Sequence, residues 1–416
     1  LRLKIERLAF GGRGVARAHG RVVFVEGGIP GDVVEAEIAR ERKGFAEARV
    51  VSLVEPSGLR VSPSCPYFGS CGGCQLQHAS YDLQLRYKDE TLRESLRRIG
   101  GVGEYAALSP VPSMLQYGYR TRVTLSVWIT EKGCRVGFHE AGSTRMIPID
   151  ACPIAAPPVD RAIRRISKSL MAYSMSAPLE RIYVATDGER AYVTLVPGWR
   201  VDPRGLNPLR DHLRRFPETE CTSTIRDEST FEVTFLGIRY LLTPSTFMQA
   251  NPFINERMIE TVKEWAALRG GERVLDLYAG AGNISLQLAG VAGSVTGVEV
   301  SRRAVSLAVR SAEANGISNA AFLAEDAEGF CLRAATRGET YDVLVLDPPR
   351  EGAKALIGSL VALKPVRVVY VSCNPTTLAR DVKLICASGY RLARARAFDM
   401  FPQTYHVEAV ALMERA

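Results

Sequence analysis

The chain has 416 residues, 46% of them hydrophobic, which is material for two or three domains with cores of their own and excludes a disordered tail. No apolar run approaches the about 20 residues of a membrane helix, and the opening LRLKIERLAFGGRG has no signal-peptide pattern, so a cytoplasmic protein with no membrane partner is expected. The net charge is +8, and its distribution is uneven: residues 1–245 hold 34 Lys and Arg against 27 Asp and Glu, residues 246–416 hold 19 against 18. A basic front part that grips a polyanion while the back part does chemistry is the reading this favours.

Residues 1 to about 56 alternate short strand patterns with Gly and Pro-Gly turns, the signature of a small closed barrel of the oligonucleotide-binding kind, with Arg13, Arg17, Arg21, Arg40, Arg42 and Lys43 in or near its turns. The segment EPSGLRVSPSC reads as a linker. An amphipathic helix follows over 81–99, with Leu85, Leu92, Leu96 and Ile99 predicted on its buried side. RTRVTLSVWI and RIYVAT are strands of a mixed α+β central domain that extends to about residue 245. From about 270 the pattern alternates strictly between strand and helix, and predicts a C-terminal doubly wound α/β domain.

The nine cysteines are too sparse for a disulfide scaffold, so those that cluster are read as metal ligands or catalysts. CPYFGSCGGCQ brings Cys65, Cys71 and Cys74 together in flexible backbone, and Cys152, in the similar Cys-Pro setting of DACPI, is the natural fourth ligand. Four thiolates suit zinc or an iron-sulfur cluster, and spacing does not separate the two. Cys134, Cys221, Cys331 and Cys386 stand singly in strand or helix patterns and read as packing.

VLDLYAGAGNIS ends the first strand of the C-terminal domain in a turn where Gly280 and Gly282 let backbone approach a ligand. Ser285 stands where a dinucleotide fingerprint would carry its third glycine, which weakens a nicotinamide cofactor. Glu299, closing the next strand, suits the hydroxyls of an adenosine ribose, and Asp326 after the third strand suits an adenine amino group; together these favour S-adenosylmethionine. DPPR, residues 347–350, follows the fourth strand with Asp347 placed to accept N–H groups and a proline pair that stiffens the loop.

VVYVSCNPTTLARD then places Cys373 between a buried strand and a helix with Asn374 as N-cap and Pro375 at its first position. A thiol at the carboxyl end of a parallel strand, against a helix N-terminus, is a candidate nucleophile; the bland alternative is a packed cysteine.

Taken together, CPYFGSCGGC with its later Cys-Pro, FMQAN, DLYAGAGN, DPPR, SCNP and FPQTYHVE resemble the RNA uracil-5-methyltransferase family, in its branch with an N-terminal TRAM barrel and a cluster-binding central domain. The resemblance implies a [4Fe-4S] cluster on Cys65, Cys71, Cys74 and Cys152, and methylation of a uridine in RNA, 23S rRNA foremost and tRNA next. It implies Cys373 as nucleophile and Glu408 as the proton-abstracting base, with cofactor contacts from Gln249, Tyr278, Asn283, Glu299, Asp326 and Asp347. It divides the chain into a barrel (1–56), a central domain (57–76 and 110–245) and a catalytic domain (77–109 and 246–416), active as a monomer. Tyr278 stands where Phe is common, and FPQTYH where FPHTxH is more usual.

The chemistry explains the thiol. C5 of uracil is a poor nucleophile until a thiolate adds at C6 and makes an enolate; a base must afterwards take the C5 proton so that the thiol can leave. A cytosine-5 methyltransferase needs the same addition but would be expected to carry a second cysteine beside the fourth strand, where DPPR has none. An RNA-binding protein with a vestigial catalytic fold is the alternative from another class. On sequence alone Glu408 is equally readable as an outward residue of an edge strand.

Overall fold

In a computed structural model of the chain, the structure describes residues 1–130, 133–171, 178–199, 201–222, 224 and 228–416. The first 55 residues form a six-stranded sheet. Its two ends are tied by one bent stretch of chain: Arg2–Lys4 pairs with Val33–Arg42, and after a two-residue bend Arg7–Leu8 pairs with Gly14–Ala18. That closes the sheet around Leu3, Ile5, Ala16, Val23, Val25 and Val34, and removes the exposed edges an open sheet of this size would present. Most of the predicted basic residues project outward, while Arg13 and Arg17 lie in ion-pair range of Glu47 and Glu6. The linker is anchored, because Arg60 reaches back to the buried Asp32 at 2.7 Å.

The central region is a second six-stranded sheet covered by the helix Pro157–Met171, whose Val159, Ala162, Ile163, Ile166 and Leu170 recur at helical spacing toward the sheet. A two-stranded hairpin, Phe231–Phe235 with Ile238–Leu242, leads into the last region.

There, eight strands make one sheet. Five are parallel, in the order Ala320–Ala324, Ser294–Glu299, Arg273–Leu277, Val343–Leu346, Arg367–Ser372; then come Glu408–Arg415, Tyr390–Phe398 and Ala106–Ala107. Glu408–Arg415 runs antiparallel to both of its neighbours. Helices and two separate hydrophobic cores cover both faces, which is why Val343–Leu346 and Val368–Val371 are apolar without alternation. The short strand Ala106–Ala107 is lent from the front of the chain.

The helix predicted over 81–99 spans Tyr81–Arg98 and packs on Pro375–Cys386 and Tyr390–Phe398. Its buried stripe differs from the predicted one: Leu92 and Leu96 are buried, Leu85 is half-buried and Ile99 is exposed. Leu83, Gln84, Tyr87, Lys88, Thr91 and Ser95 complete the inward face. Polar residues take inward positions because the surface they meet is itself polar, as described below. Among the described residues no helix is long and apolar enough to cross a membrane.

Candidate active site and four-cysteine cavity

The register of the sheet brings the two predicted catalytic residues together. The antiparallel ladder ends at the pair Ser372 and Ala409, which leaves Cys373 and Glu408 adjoining that last pair, close enough for the Glu408 carboxyl to act on the thiol. Glu408 is therefore not on an edge: it opens a strand flanked on both sides and is 1% exposed.

Cys373 sits in the turn that the sequence predicts. The Asn374 side chain accepts from the Thr376 N–H at 3.1 Å, and its amide donates to the Arg350 carbonyl at 3.0 Å, tying the thiol's turn to the DPPR loop. Burial pushes the Cys373 thiol up to about 12; Glu408 and Asp347 add to the rise, and Arg350 opposes it. Burial also raises Glu408 well above the usual carboxylate range, with Asp347 contributing and Arg350 opposing. One Glu408 oxygen, Oε1, is buried with no hydrogen-bond partner. A buried, unpartnered carboxyl oxygen facing a thiol is costly in a resting fold and is suited to taking a proton from a third group. Asp347 is raised to about 6 by burial, partly offset by Gln249, whose amide lies 3.4 Å away.

The strand order reverses between Arg273–Leu277 and Val343–Leu346, the place where ligands bind in open α/β sheets. Gly280 and Gly282 have φ of 55° and 83°, and a Cβ on Gly282 would press on Leu286 and Phe322. Tyr278 is also left-handed, at φ 63°, and half-buried. Glu299 accepts from the Gly280 N–H at 3.1 Å and the Ser301 N–H at 2.8 Å, so it braces the glycine turn. Asn283 forms a reciprocal amide pair with Asn255, both bonds 2.9 Å. Asp326 is exposed and caps the helix Ala327–Thr336 through Gly329 N–H, a structural duty that the sequence reading did not give it.

Three neighbours escaped the sequence reading. Arg350, the last residue of DPPR, acts on both Cys373 and Glu408 and lies 3.5 Å from the His406 ring. Asp276 is fully buried under the glycine turn, held at about 7 by burial, with Ser285 on one oxygen and nothing on the other. Ser285, where a third glycine would signal a dinucleotide site, is thus that carboxyl's partner. Val300, directly after Glu299, leaves an apolar side chain 71% exposed. An acid inside a strand and an apolar residue after one are too common to single out from sequence.

The other four predicted cysteines, Cys65, Cys71, Cys74 and Cys152, line one cavity of about 260 Å³. Gly72 lets the loop approach closely, since a Cβ there would meet the His139 carbonyl and Ala141 N–H at 2.8 Å. Burial is the main cause that raises Cys74 to about 12 and Cys152 to about 11, and the thiols raise one another. Among the described residues no three His, Cys, Asp or Glu gather as a single-ion ligand set. The single cysteines Cys134, Cys221 and Cys331 are buried and Cys386 half-buried, as packing residues are.

Residues 227–416 match the model of the tRNA (uracil-5-)-methyltransferase family, and residues 1–51 match that of the TRAM domain. The chain is 33% identical to the 23S rRNA (uracil(1939)-C(5))-methyltransferase RlmD of Vibrio campbellii, over 100% of this chain and 96% of that protein. With the RlmD of Edwardsiella ictaluri the identity is 36%, over 97% of this chain and 93% of the relative. The chain belongs to the RNA uracil-5-methyltransferase family. Its fold is similar to that of the Pyrococcus abyssi tRNA (uracil-54, C5)-methyltransferase solved with S-adenosyl-L-homocysteine, with a TM-score of 0.73, 29% identity, and coverage of 99% of this chain and 100% of that one. Membership makes it a methyltransferase that uses S-adenosylmethionine to modify C5 of uracil in RNA, with an N-terminal TRAM domain and a C-terminal α/β catalytic domain.

Proposed function

We propose that the chain methylates one uridine of 23S rRNA, with Cys373 as nucleophile and Glu408 as the base that completes the reaction. The observation that carries this reading is that the last ladder pair, Ser372 with Ala409, brings Cys373 and Glu408 next to one another at the carboxyl end of the sheet, where the acid acts on the thiol. In the free enzyme the thiol is protonated, so its activation coincides with substrate binding; Arg350 is the cation that draws it toward the thiolate. The thiol gives its proton to solvent as the RNA binds, sulfur adds to C6, and the electron pair of the C5–C6 double bond moves to C5, which takes the methyl group from the sulfonium. C5 then carries both hydrogen and methyl. Glu408 removes the proton through its unpartnered oxygen, the C5–C6 double bond re-forms, and sulfur leaves.

Gln249 and Asp347 form one edge of the crevice for the base and the methyl donor. Tyr278, Gly280, Gly282 and Asn283 shape the turn against the donor, Glu299 serves its ribose, and Asp326 with Val300 lies toward its adenine. The boundaries 1–56, 57–76 with 110–245, and 77–109 with 246–416 divide the chain into barrel, central and catalytic parts, and we assign it a monomeric state. The target base must leave the RNA stack, with the barrel's outward arginines holding flanking phosphates.

Cys65, Cys71, Cys74 and Cys152 fit a [4Fe-4S] cluster better than a lone zinc. What supports this is that all four sulfurs line one cavity of about 260 Å³, which has room for more than a single ion. The cluster would hold the loop 65–76 against the central sheet. Anaerobically prepared protein should be brown with four irons per chain, and Cys74→Ala should lose them; a colourless zinc protein overturns this assignment.

The 23S rRNA assignment follows the identity of 33–36% to RlmD proteins along nearly their full length. Labelled methyl transfer to transcripts of 23S rRNA and of tRNA tests it. Exclusive labelling of tRNA would replace the substrate while leaving the chemistry.

A further inference from the structure

The connection between the strands Tyr390–Phe398 and Glu408–Arg415 delivers Glu408 to the thiol, and its middle residue is Gln403. Gln403 is 2% exposed and left-handed at φ 71°. Its carbonyl accepts from the N–H groups of Gln75, at 3.0 Å, and Leu76, at 2.9 Å, directly after the ligand Cys74. Its own N–H donates to Gln84 Oε1 at 2.8 Å, and its side-chain oxygen accepts from Gln84 Nε2 at 3.0 Å. Its Nε2 reaches the Gln116 carbonyl at 3.4 Å. Every polar atom of Gln403 has a partner within the fold.

The same connection is gripped on either side. Lys88, wholly buried, pairs with Asp399 and donates to the Phe401 carbonyl at 2.9 Å. Tyr119 donates to the Pro402 carbonyl at 2.9 Å, and Tyr87 to that of Tyr405 at 3.4 Å. This is the polar surface that the inward Gln84, Tyr87 and Lys88 of the helix Tyr81–Arg98 meet. Cys373, by contrast, rides on a different turn fixed by Asn374 and the DPPR loop.

We infer that Gln403 is a positioning residue for proton removal: it joins the cysteine loop, the helix Tyr81–Arg98 and the 113–119 loop to the segment that aims Glu408. The inference rests on the proposed roles of Cys373 and Glu408. It separates the two half-reactions, because thiol addition uses a turn that Gln403 does not touch. Loss of the Gln84–Gln403 amide pair therefore slows the release of methylated RNA and spares its covalent capture.

The test compares Gln403→Met and Gln84→Met, which keep side-chain length and remove the amide pair, using RNA that carries protium or deuterium at C5 of the target uridine. A roughly 10- to 100-fold lower kcat is expected for each, the scale that small misplacements of a reacting group produce. KM for RNA should stay within about 3-fold, while the trapped methylated adduct and the deuterium isotope effect on kcat both rise. The double variant should be little worse than either single one. Slow turnover with neither trapped adduct nor increased isotope effect would overturn the inference, as would a change confined to KM. Should one variant fail to fold, the other carries the same test. Glu408→Gln serves as the reference: if it too traps no adduct, the underlying reading fails and not the role of Gln403.

Discussion

Cys74 and Cys373 are both held at about 12 by burial, yet they belong to two unlike regions. Around Cys74 the remaining influences are a hydrogen bond with Gln77, which lowers the value, and three other thiols, which raise it, in a Gly-rich loop that can wrap a cation. Around Cys373 they are two carboxyls and an arginine, at the end of a strand whose neighbour supplies an acid. Cys221 and Cys331 reach about 12 as well, with Arg214, Arg210 and Asp211 acting on the first and Asp326 on the second, yet both are fully buried inside packed cores where no substrate or ion can reach them. A raised thiol pKa therefore marks burial and nothing more; place in the fold, a shared cavity or a strand end rather than a packed core, separates the proposed ligand and the proposed nucleophile from filler.

The comparison can be broken at the acid. Glu408→Gln should lower turnover by about 10²–10⁴-fold, the usual worth of a general base, with the methylated RNA left attached to the protein; this is read by single-turnover assay and denaturing gel. Loss of turnover without attached RNA would place Glu408 before the thiol's attack. The iron content of this variant should be unchanged, because the cavity of Cys65, Cys71, Cys74 and Cys152 is a separate region.

It can be sharpened with pH. A thiol whose pKa is raised is protonated below that value and gains thiolate as pH climbs, so alkylation of Cys373 by iodoacetamide should accelerate about tenfold per pH unit from 7 to 9 with no plateau. A rise that flattens by pH 9 would mean an ordinary thiol. A smaller effect is expected from Arg350→Gln, which removes the cation opposing the rise: alkylation at pH 8 should slow by a few-fold.

Much of this was readable in the chain. Strand-to-helix punctuation located Cys373, and the glycine turn with acids ending successive strands located the crevice, because these are local patterns. The four cysteines were found by kind and spacing. What escaped depends on contacts between distant segments. Nothing around Gln403 signals that it meets Gln75, Gln84 and Gln116, and Lys88 reads as a solvated residue until its partner Asp399 appears 311 positions away. Ile99 was placed inward by periodicity, but the inward face of that helix is partly polar because it serves a loop. Asp326 looked like a ligand residue at a strand end and is also a helix cap; the two duties share one sequence signature.

The most direct test of the central claim is mass spectrometry of nuclease-treated protein after reaction with 23S rRNA fragments containing 5-fluorouridine, in which C5 carries fluorine that Glu408 cannot remove as a proton. A nucleotide bonded to the peptide containing Cys373, heavier by one methyl group, is the predicted result. An unmodified Cys373 peptide alongside methylated RNA, or the same yield of methylated RNA from Cys373→Ala, would contradict it.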